Sequence, residues 1–288
     1  MQLTDRIHAL HLPFELRLPD GGVVERFVNI FAVVGERICM VDAGVAGSWR
    51  QIEECLDRIG RDLSEIDLLV LTHAHPDHIG GARSLRERTG CRIAAHRDAV
   101  AWVEDVQRQL RERPIPDFNR IVEGPVTVDV QLRGGESLEL PGGGVLKVIE
   151  TPGHGRGHIA LFDPQDGALF AGDAVPTPGA PPVYEDIPAL VRSLEILRGL
   201  DDLRLLLSAW DEPRRGADAG AAINAGLQLV RRVHDAAHRG AASLTDPREV
   251  LQSVIAELSL PPSAASPVVQ QSIQAHLAAP AELFERNQ

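Results

Sequence analysis

A layered α/β fold is the class this sequence predicts, and three observations carry it. Short apolar runs alternate with stretches of helical spacing along the first 212 residues, as expected of sheets covered by helices. The alternation occurs twice, in two similar halves. From about Gly216 the composition becomes Ala- and Leu-rich with helical spacing throughout. The expected organisation is therefore one α/β domain over 1–212 and a helical C-terminal extension over 216–288.

The elements follow in order. Residues 25–34 and 36–42 are apolar runs joined by Gly35-Glu36, and read as a hairpin ending at Val41-Asp42-Ala43-Gly44. Ser48 can cap a helix to about Gly60, with Trp49, Ile52, Cys55, Leu56 and Ile59 on one face. The apolar run 66–71 reads as a buried strand. A helix is expected over 79–89, a strand over 92–95 and a helix over 98–111, closed by Pro114 and Pro116. Strands are expected at 126–132, 136–140, 145–151, 158–163 and 168–171. Gly134-Gly135, Gly142-Gly143-Gly144 and Asp166-Gly167 supply the turns. Residues 174–182 carry four prolines and form a loop, followed by a helix over 187–198 and a strand over 203–208. Helices are expected at 217–239, 246–258 and 265–278, with Asp246-Pro247 as cap and Pro261-Pro262 as break.

Composition excludes several classes. With 288 residues and 44% hydrophobic content, the chain can bury a sizeable core. No stretch approaches the roughly 20 apolar residues of a membrane span, so no membrane role is expected. The net charge of −12 opposes a nucleic-acid partner, which calls for a basic surface. Residues 1–6 lack a basic region followed by an apolar one, so no signal peptide is expected. Cys39, Cys55 and Cys91 form no CxxC pair and fit reduced thiols of a cytoplasmic protein.

The chemistry lies in Thr72-His73-Ala74-His75-Pro76-Asp77-His78, on the loop leaving the strand at 66–71. His73 and His75, two apart in an extended loop, can turn toward one metal. Asp77 and His78, one turn further on, can reach a second. Imidazole and carboxylate donors suit zinc or iron at neutral pH.

His-X-His-X-Asp-His after a strand, followed by Ile79-Gly80-Gly81, resembles the signature of the metallo-β-lactamase-fold hydrolases, with a glyoxalase II-like motif set. Thr151-Pro152-Gly153-His154 resembles the element carrying the family's third histidine, and Phe170-Ala171-Gly172-Asp173 the one carrying its bridging aspartate. The last family histidine ends a further strand, where this chain has Trp210. Four of five motifs match, in the family's order, over about residues 1–212. The resemblance implies a four-layer αβ/βα sandwich with metals at one edge between two sheets.

It also implies roles. His73, His75 and His154 would hold one metal, and Asp77, His78 and Asp173 a second, with Asp173 bridging. One or two zinc ions per chain are expected, with iron or manganese as alternatives. Asp77 would also take a proton from the attacking water. A three-histidine site lowers the pKa of bound water to roughly 7. The implied reaction is attack by metal-bound hydroxide on a small ester, thioester, lactone or phosphodiester. Aspartate at 173, where β-lactam-cleaving members tend to carry cysteine, argues against antibiotic hydrolysis. His158 would support the metal ligands from behind and Asp42 would brace the metal loop. Trp210 would wall the pocket, Tyr184 would line it, and Asp211 could replace the missing histidine. His96 reads as a satisfied core residue, and His8, His11, His234, His238 and His276 receive no role.

Two rival readings stand beside the hydrolase. One is a mononuclear iron dioxygenase resembling the persulfide dioxygenases of this fold, which loss of the last histidine favours. The other is a non-catalytic member that binds a ligand, which the retained ligands disfavour. The C-terminal helices either shape a substrate pocket, as in relatives of the fold, or pack as a tail that forms a homodimer; the sequence leaves both open.

Overall fold

The computed structural model describes residues 1–18, 21–261 and 264–284. Among these the strands form two six-stranded sheets. The first opens with a long antiparallel hairpin, β1 (Ile7–Arg17) against β2 (Val23–Val34), in register from Ile7↔Val33 to Arg17↔Val23. β1 was not expected from the sequence. Pro13 interrupts its alternation, and proline is tolerated in a strand only where no partner needs its N–H. β1 is the edge strand of the sheet, so Pro13 fits.

β3 (Ile38–Val41) completes an antiparallel pair with β2. From there the sheet turns parallel through β4 (Ile66–Leu71), β5 (Arg92–His96) and β6 (Val130–Leu132). Parallel neighbours need crossovers, and helices supply them. α1 (Trp49–Asp57) joins β3 to β4, α2 (Pro76–Ile79) and α3 (Ala82–Thr89) join β4 to β5. α4 (Val100–Val103), α5 (Val106–Glu112) and α6 (Phe118–Ile121) lie between β5 and β6. Ser48 sits at the N-cap of α1 but its hydroxyl makes no capping bond. The single helix expected over 98–111 is broken at Asp105, whose carboxylate accepts from the Arg108 N–H at 2.9 Å and starts α5 afresh. One face of the sheet and these helices share a core that includes Ile30, Met40, Ile52, Leu56, Leu69, Leu85, Ile93 and Phe118.

The second sheet contains β7 (Ser137–Glu139), β8 (Val145–Glu150), β9 (Ile159–Asp163), β10 (Ala168–Gly172), β11 (Leu205–Ser208) and β12 (Arg214–Arg215), in the order β12-β11-β10-β9-β8-β7. The expected strand at 126–132 contracts to the three residues that pair with β5, and β12 was not expected. Phe31 of β2 meets Phe170 of β10 edge-on, ring centroids 5.5 Å apart, which brings the two sheets face to face there.

The chain forms two compact units. The first comprises residues 1–150, 157–172 and 207–212. The second comprises 151–156, 173–206 and 213–288. Within the second unit lie α7 (Ile187–Arg198), α8 (Ala217–Ala241), α9 (Pro247–Leu258) and α10 (Pro267–Ala278). The last three share an apolar core of Leu229, Val233, Val250, Val254 and Ile273 among others. Asp246 caps α9 as expected, its carboxylate accepting from the Arg248 N–H at 2.8 Å. Pro262 of the expected break lies outside the described residues. No described helix is long and apolar enough to cross a membrane.

Candidate metal centre

The parallel pairing of β3 and β4 sets Asp42 and Thr72 side by side at neighbouring strand ends. Asp42 turns out of its strand with φ of 65°, in the left-handed region where aspartate is among the tolerated residues. Its carboxylate then receives three groups. The Thr72 N–H reaches Oδ1 at 2.8 Å, the Thr72 hydroxyl reaches Oδ2 at 2.9 Å, and His78 Nδ1 reaches Oδ2 at 2.7 Å. A carboxylate only accepts, so His78 carries a proton on Nδ1, and in the neutral ring Nε2 is the unprotonated nitrogen.

The same logic sets His73. Thr72 gives its single hydroxyl hydrogen to Asp42, so its oxygen accepts from His73 Nδ1 at 3.0 Å. Nε2 of His73 is then the unprotonated nitrogen. Outer hydrogen bonds of this kind fix tautomer and ring orientation at metal sites. His75 occupies the N-cap of α2 in extended conformation, its ring 4.5 Å from that of His73. The His73 ring also lies 4.0 Å from His78 and 4.6 Å from His158. Asp77, on the first turn of α2, sets Oδ2 3.6 Å from His78 Nε2.

His154 and Asp173 form a second set. His154 Nδ1 donates to the Val183 carbonyl at 2.8 Å, and Nε2, the unprotonated nitrogen of the neutral ring, lies 3.3 Å from Asp173 Oδ2. Two glycines are required here. A Cβ on Gly153 would lie 2.4 Å from the Leu190 backbone, and its φ of 129° is open only to glycine. Gly172, with φ of 50°, would drive a Cβ to 2.8 Å from Thr72 Oγ1 and 3.0 Å from His158 Nε2.

One donor atom from each of His73, His75, His154 and Asp173 lies within 4.8 Å of the others. Three imidazoles are buried and the carboxylate is nearly so. Nitrogen and carboxylate oxygen in this number and spacing fit a single divalent ion. Asp77 and His78 lie beside this grouping rather than in it. The other sequence candidates are placed as follows. His158 is buried beside His73, and Asp42 bonds Thr72 and His78 of the 72–78 loop. Trp210 is half-buried, its ring 5.8 Å from Phe27 and packed on the core of the first sheet. The Asp211 carbonyl accepts from Asn29 Nδ2 at 2.9 Å. Tyr184 is buried, with its ring 6.1 Å from His276. Burial holds its phenol well above the usual pKa. His96 is a satisfied core residue, bonded to Glu150 and to the Asp98 N–H.

Sequence reasoning missed the residues that hold this arrangement from outside the motifs. Gln109, buried on α5, donates to the Ala74 carbonyl between His73 and His75. Asn29 donates to the Ser208 and Asp211 carbonyls, and its N–H bonds Ala209. Asn29 had a signal, the one polar residue within the apolar run 27–34. Gln109 had none, because glutamine suits any helix surface.

The chain matches the metallo-beta-lactamase superfamily model over residues 23–210. It is 36% identical over 152 residues to a hydroxyacylglutathione hydrolase of Rhodopseudomonas palustris (strain BisB18), a match covering 52% of this chain and 49% of the relative. It is 32% identical over 209 residues to a hydroxyacylglutathione hydrolase of Methylococcus capsulatus (strain ATCC 33009 / NCIMB 11132 / Bath), covering 71% and 70%. The chain thus spans about half the length of the first of these relatives. The fold is shared with a metallo-beta-lactamase family protein from Thermus thermophilus, at a TM-score of 0.75 and 22% identity, covering 99% of this chain and 95% of that one. With a family model matched across 188 of its 288 residues, from 23 to 210, the chain belongs to the metallo-β-lactamase superfamily and has its α/β sandwich fold.

Proposed function

We propose that this protein is a metal-dependent hydrolase of small thioesters, with His73, His75, His154 and Asp173 as ligands of the catalytic ion. The observation that carries the reading is the grouping of those four donors within 4.8 Å. The thioester preference rests on the relatives named hydroxyacylglutathione hydrolase, and small esters and lactones are the next candidates. Asp173 supports it further, since the resemblance associates cysteine at that place with β-lactam cleavage. Zinc is the proposed ion, because imidazole nitrogen and carboxylate oxygen suit it and its shell can expand to admit a water beside these ligands.

A bound ion of this kind supplies Lewis acidity and acidifies water. The chain's own residues do the rest. Thr72 and Asp42 hold the His73 and His78 rings through Nδ1, which leaves Nε2 available as a ligand in the neutral ring, and the Val183 carbonyl does so for His154. Asp77, partly solvent-accessible at 17% of its side chain, is the proposed acceptor of a proton from the attacking water. Asp77 and His78, with Asp173 bridging, are the proposed ligands of a second ion. Residues 1–212 are the proposed catalytic domain and 216–288 its helical extension. The free thiols of Cys39, Cys55 and Cys91 support a reducing, cytoplasmic setting.

The test is a panel of a glutathione thioester, a generic ester, a lactone and a bis-aryl phosphate, assayed with Zn²⁺, Mn²⁺ or Fe²⁺ after chelation. Thioester turnover restored by metal supports the reading. Turnover that survives complete metal removal overturns it. A second reading, a mononuclear iron dioxygenase, is favoured by one observation: Trp210 stands where the family's last histidine would be. Iron near one per chain, with oxygen consumption on a persulfide, would establish it instead.

A further inference from the structure

We infer that Ser272, on α10, is a positioning residue for His154, holding through Tyr184 the carbonyl that sets the tautomer of that ring. The inference rests on the proposed metal centre for its purpose but not for its geometry. Ser272 is buried. Its hydroxyl donates to the Val268 carbonyl, one turn back along the helix, at 3.2 Å. With that hydrogen committed, the oxygen accepts from the Tyr184 backbone N–H at 2.8 Å. The carbonyl on the other side of that same N–H, in the peptide unit joining Val183 and Tyr184, is the one that receives His154 Nδ1 at 2.8 Å. A peptide unit is planar and rigid. Fixing its N–H therefore fixes the direction of its C=O, and with it the ring that bonds there.

The rest of the segment is gripped in the same way. The N–H groups of Glu185 and Asp186 donate to the Gly153 carbonyl at 2.7 and 3.1 Å. The Ser193 hydroxyl donates to the Pro152 carbonyl at 2.8 Å. Asp186 caps α7 by accepting from the Ala189 N–H. These bonds hold the backbone of 152–154. The bond from His154's ring to the Val183 carbonyl holds its side chain, and Ser272 is the side chain bonded to the other end of that carbonyl's peptide unit. Groups that orient metal-binding histidines through their second nitrogen are worth about tenfold to a hundredfold in metal affinity.

The experiment uses the full chain and two readouts. The first is the tautomer of His154 in the metal-free protein, read from imidazole ¹⁵N shifts and assigned with His154→Gln. The second is Zn²⁺ affinity by competition with a chelator. The wild type is expected in the Nδ1–H form. Ser272→Ala should populate both tautomers and weaken Zn²⁺ by up to about tenfold, the lower end of what a direct partner of the ring is worth. Ser272→Thr, which retains the hydroxyl, should restore both readouts. Ile273→Val, buried on the same helix, should lower stability yet leave both unchanged. An unaltered tautomer in Ser272→Ala overturns the inference, as does an equal effect from Ile273→Val. An altered tautomer in a protein whose wild type takes up no Zn²⁺ upholds the positioning role and overturns the metal reading.

Discussion

Replacing His276 with leucine should stabilise the chain and flatten its response to mild acid. His276 is fully buried on α10, and neither ring nitrogen has a hydrogen-bond partner among the described residues. The His234 ring stands 5.7 Å away and the Tyr184 ring 6.1 Å away. Burial first, and then the neighbouring His234 and His238, pushes the pKa of His276 from 6.5 down to about 3. The folded chain thus takes up a proton here less readily than the unfolded one. The stability this side chain carries is complete above its unfolded pKa and is lost as the pH falls from 6.5 toward 3. At pH 5 a histidine with an unfolded pKa of about 6.5 gains about 2 kcal/mol from protonation when unfolded and almost nothing when buried. Leucine removes that difference. It also removes two buried unpartnered nitrogens, which cost about 1–3 kcal/mol. Urea unfolding at pH 7 and pH 5, followed by circular dichroism, measures both. The wild type should lose about 2 kcal/mol more than His276→Leu between the two pH values. Carboxylates and other histidines contribute equally to both proteins and cancel. An equal loss would refute the argument, because it would mean that His276 is hydrated or partnered when folded.

Four further outcomes follow from the site. Asp77→Asn should reduce turnover about a hundredfold or more, the usual worth of a general base, with an unchanged thermal midpoint; full turnover would remove Asp77 from the chemistry. Asp42→Ala leaves the Thr72 N–H and His78 Nδ1 without the acceptor they now share, and should cost about 3 kcal/mol together with most of the bound metal, read by denaturation and metal analysis. Trp210→His should raise the occupancy of a second ion, because indole cannot donate to a metal. Asp211→Ala should leave metal content nearly unchanged; the opposite pair of results would make Asp211 the substitute ligand.

The proposed metal-binding segment was legible because its residues are nearly contiguous. His73, His75, Asp77 and His78 follow a strand whose apolar run announces itself, and strand geometry delivers whatever comes next to the sheet edge. The alternation of runs and helical stretches disclosed the fold class for the same reason, since burial of one face imposes a period that sequence records. β1 escaped notice because Pro13 interrupts its pattern, and only its place at the edge makes the proline harmless. The break at Asp105 was hidden because a helix start depends on a side chain choosing the backbone over solvent.

Periodicity by itself determined the class of fold and the order of most of its elements, and the histidine-rich motif the donor types of the candidate site. Tertiary structure alone decided which groups hold those donors. Asp42 lies 30 residues from Thr72, Gln109 35 from Ala74 and Ser272 88 from Tyr184. Each pairing is a hydrogen bond between ordinary polar groups, with no spacing or periodicity to mark it. Its energy depends on both partners leaving water together, and that condition exists only once the chain has folded.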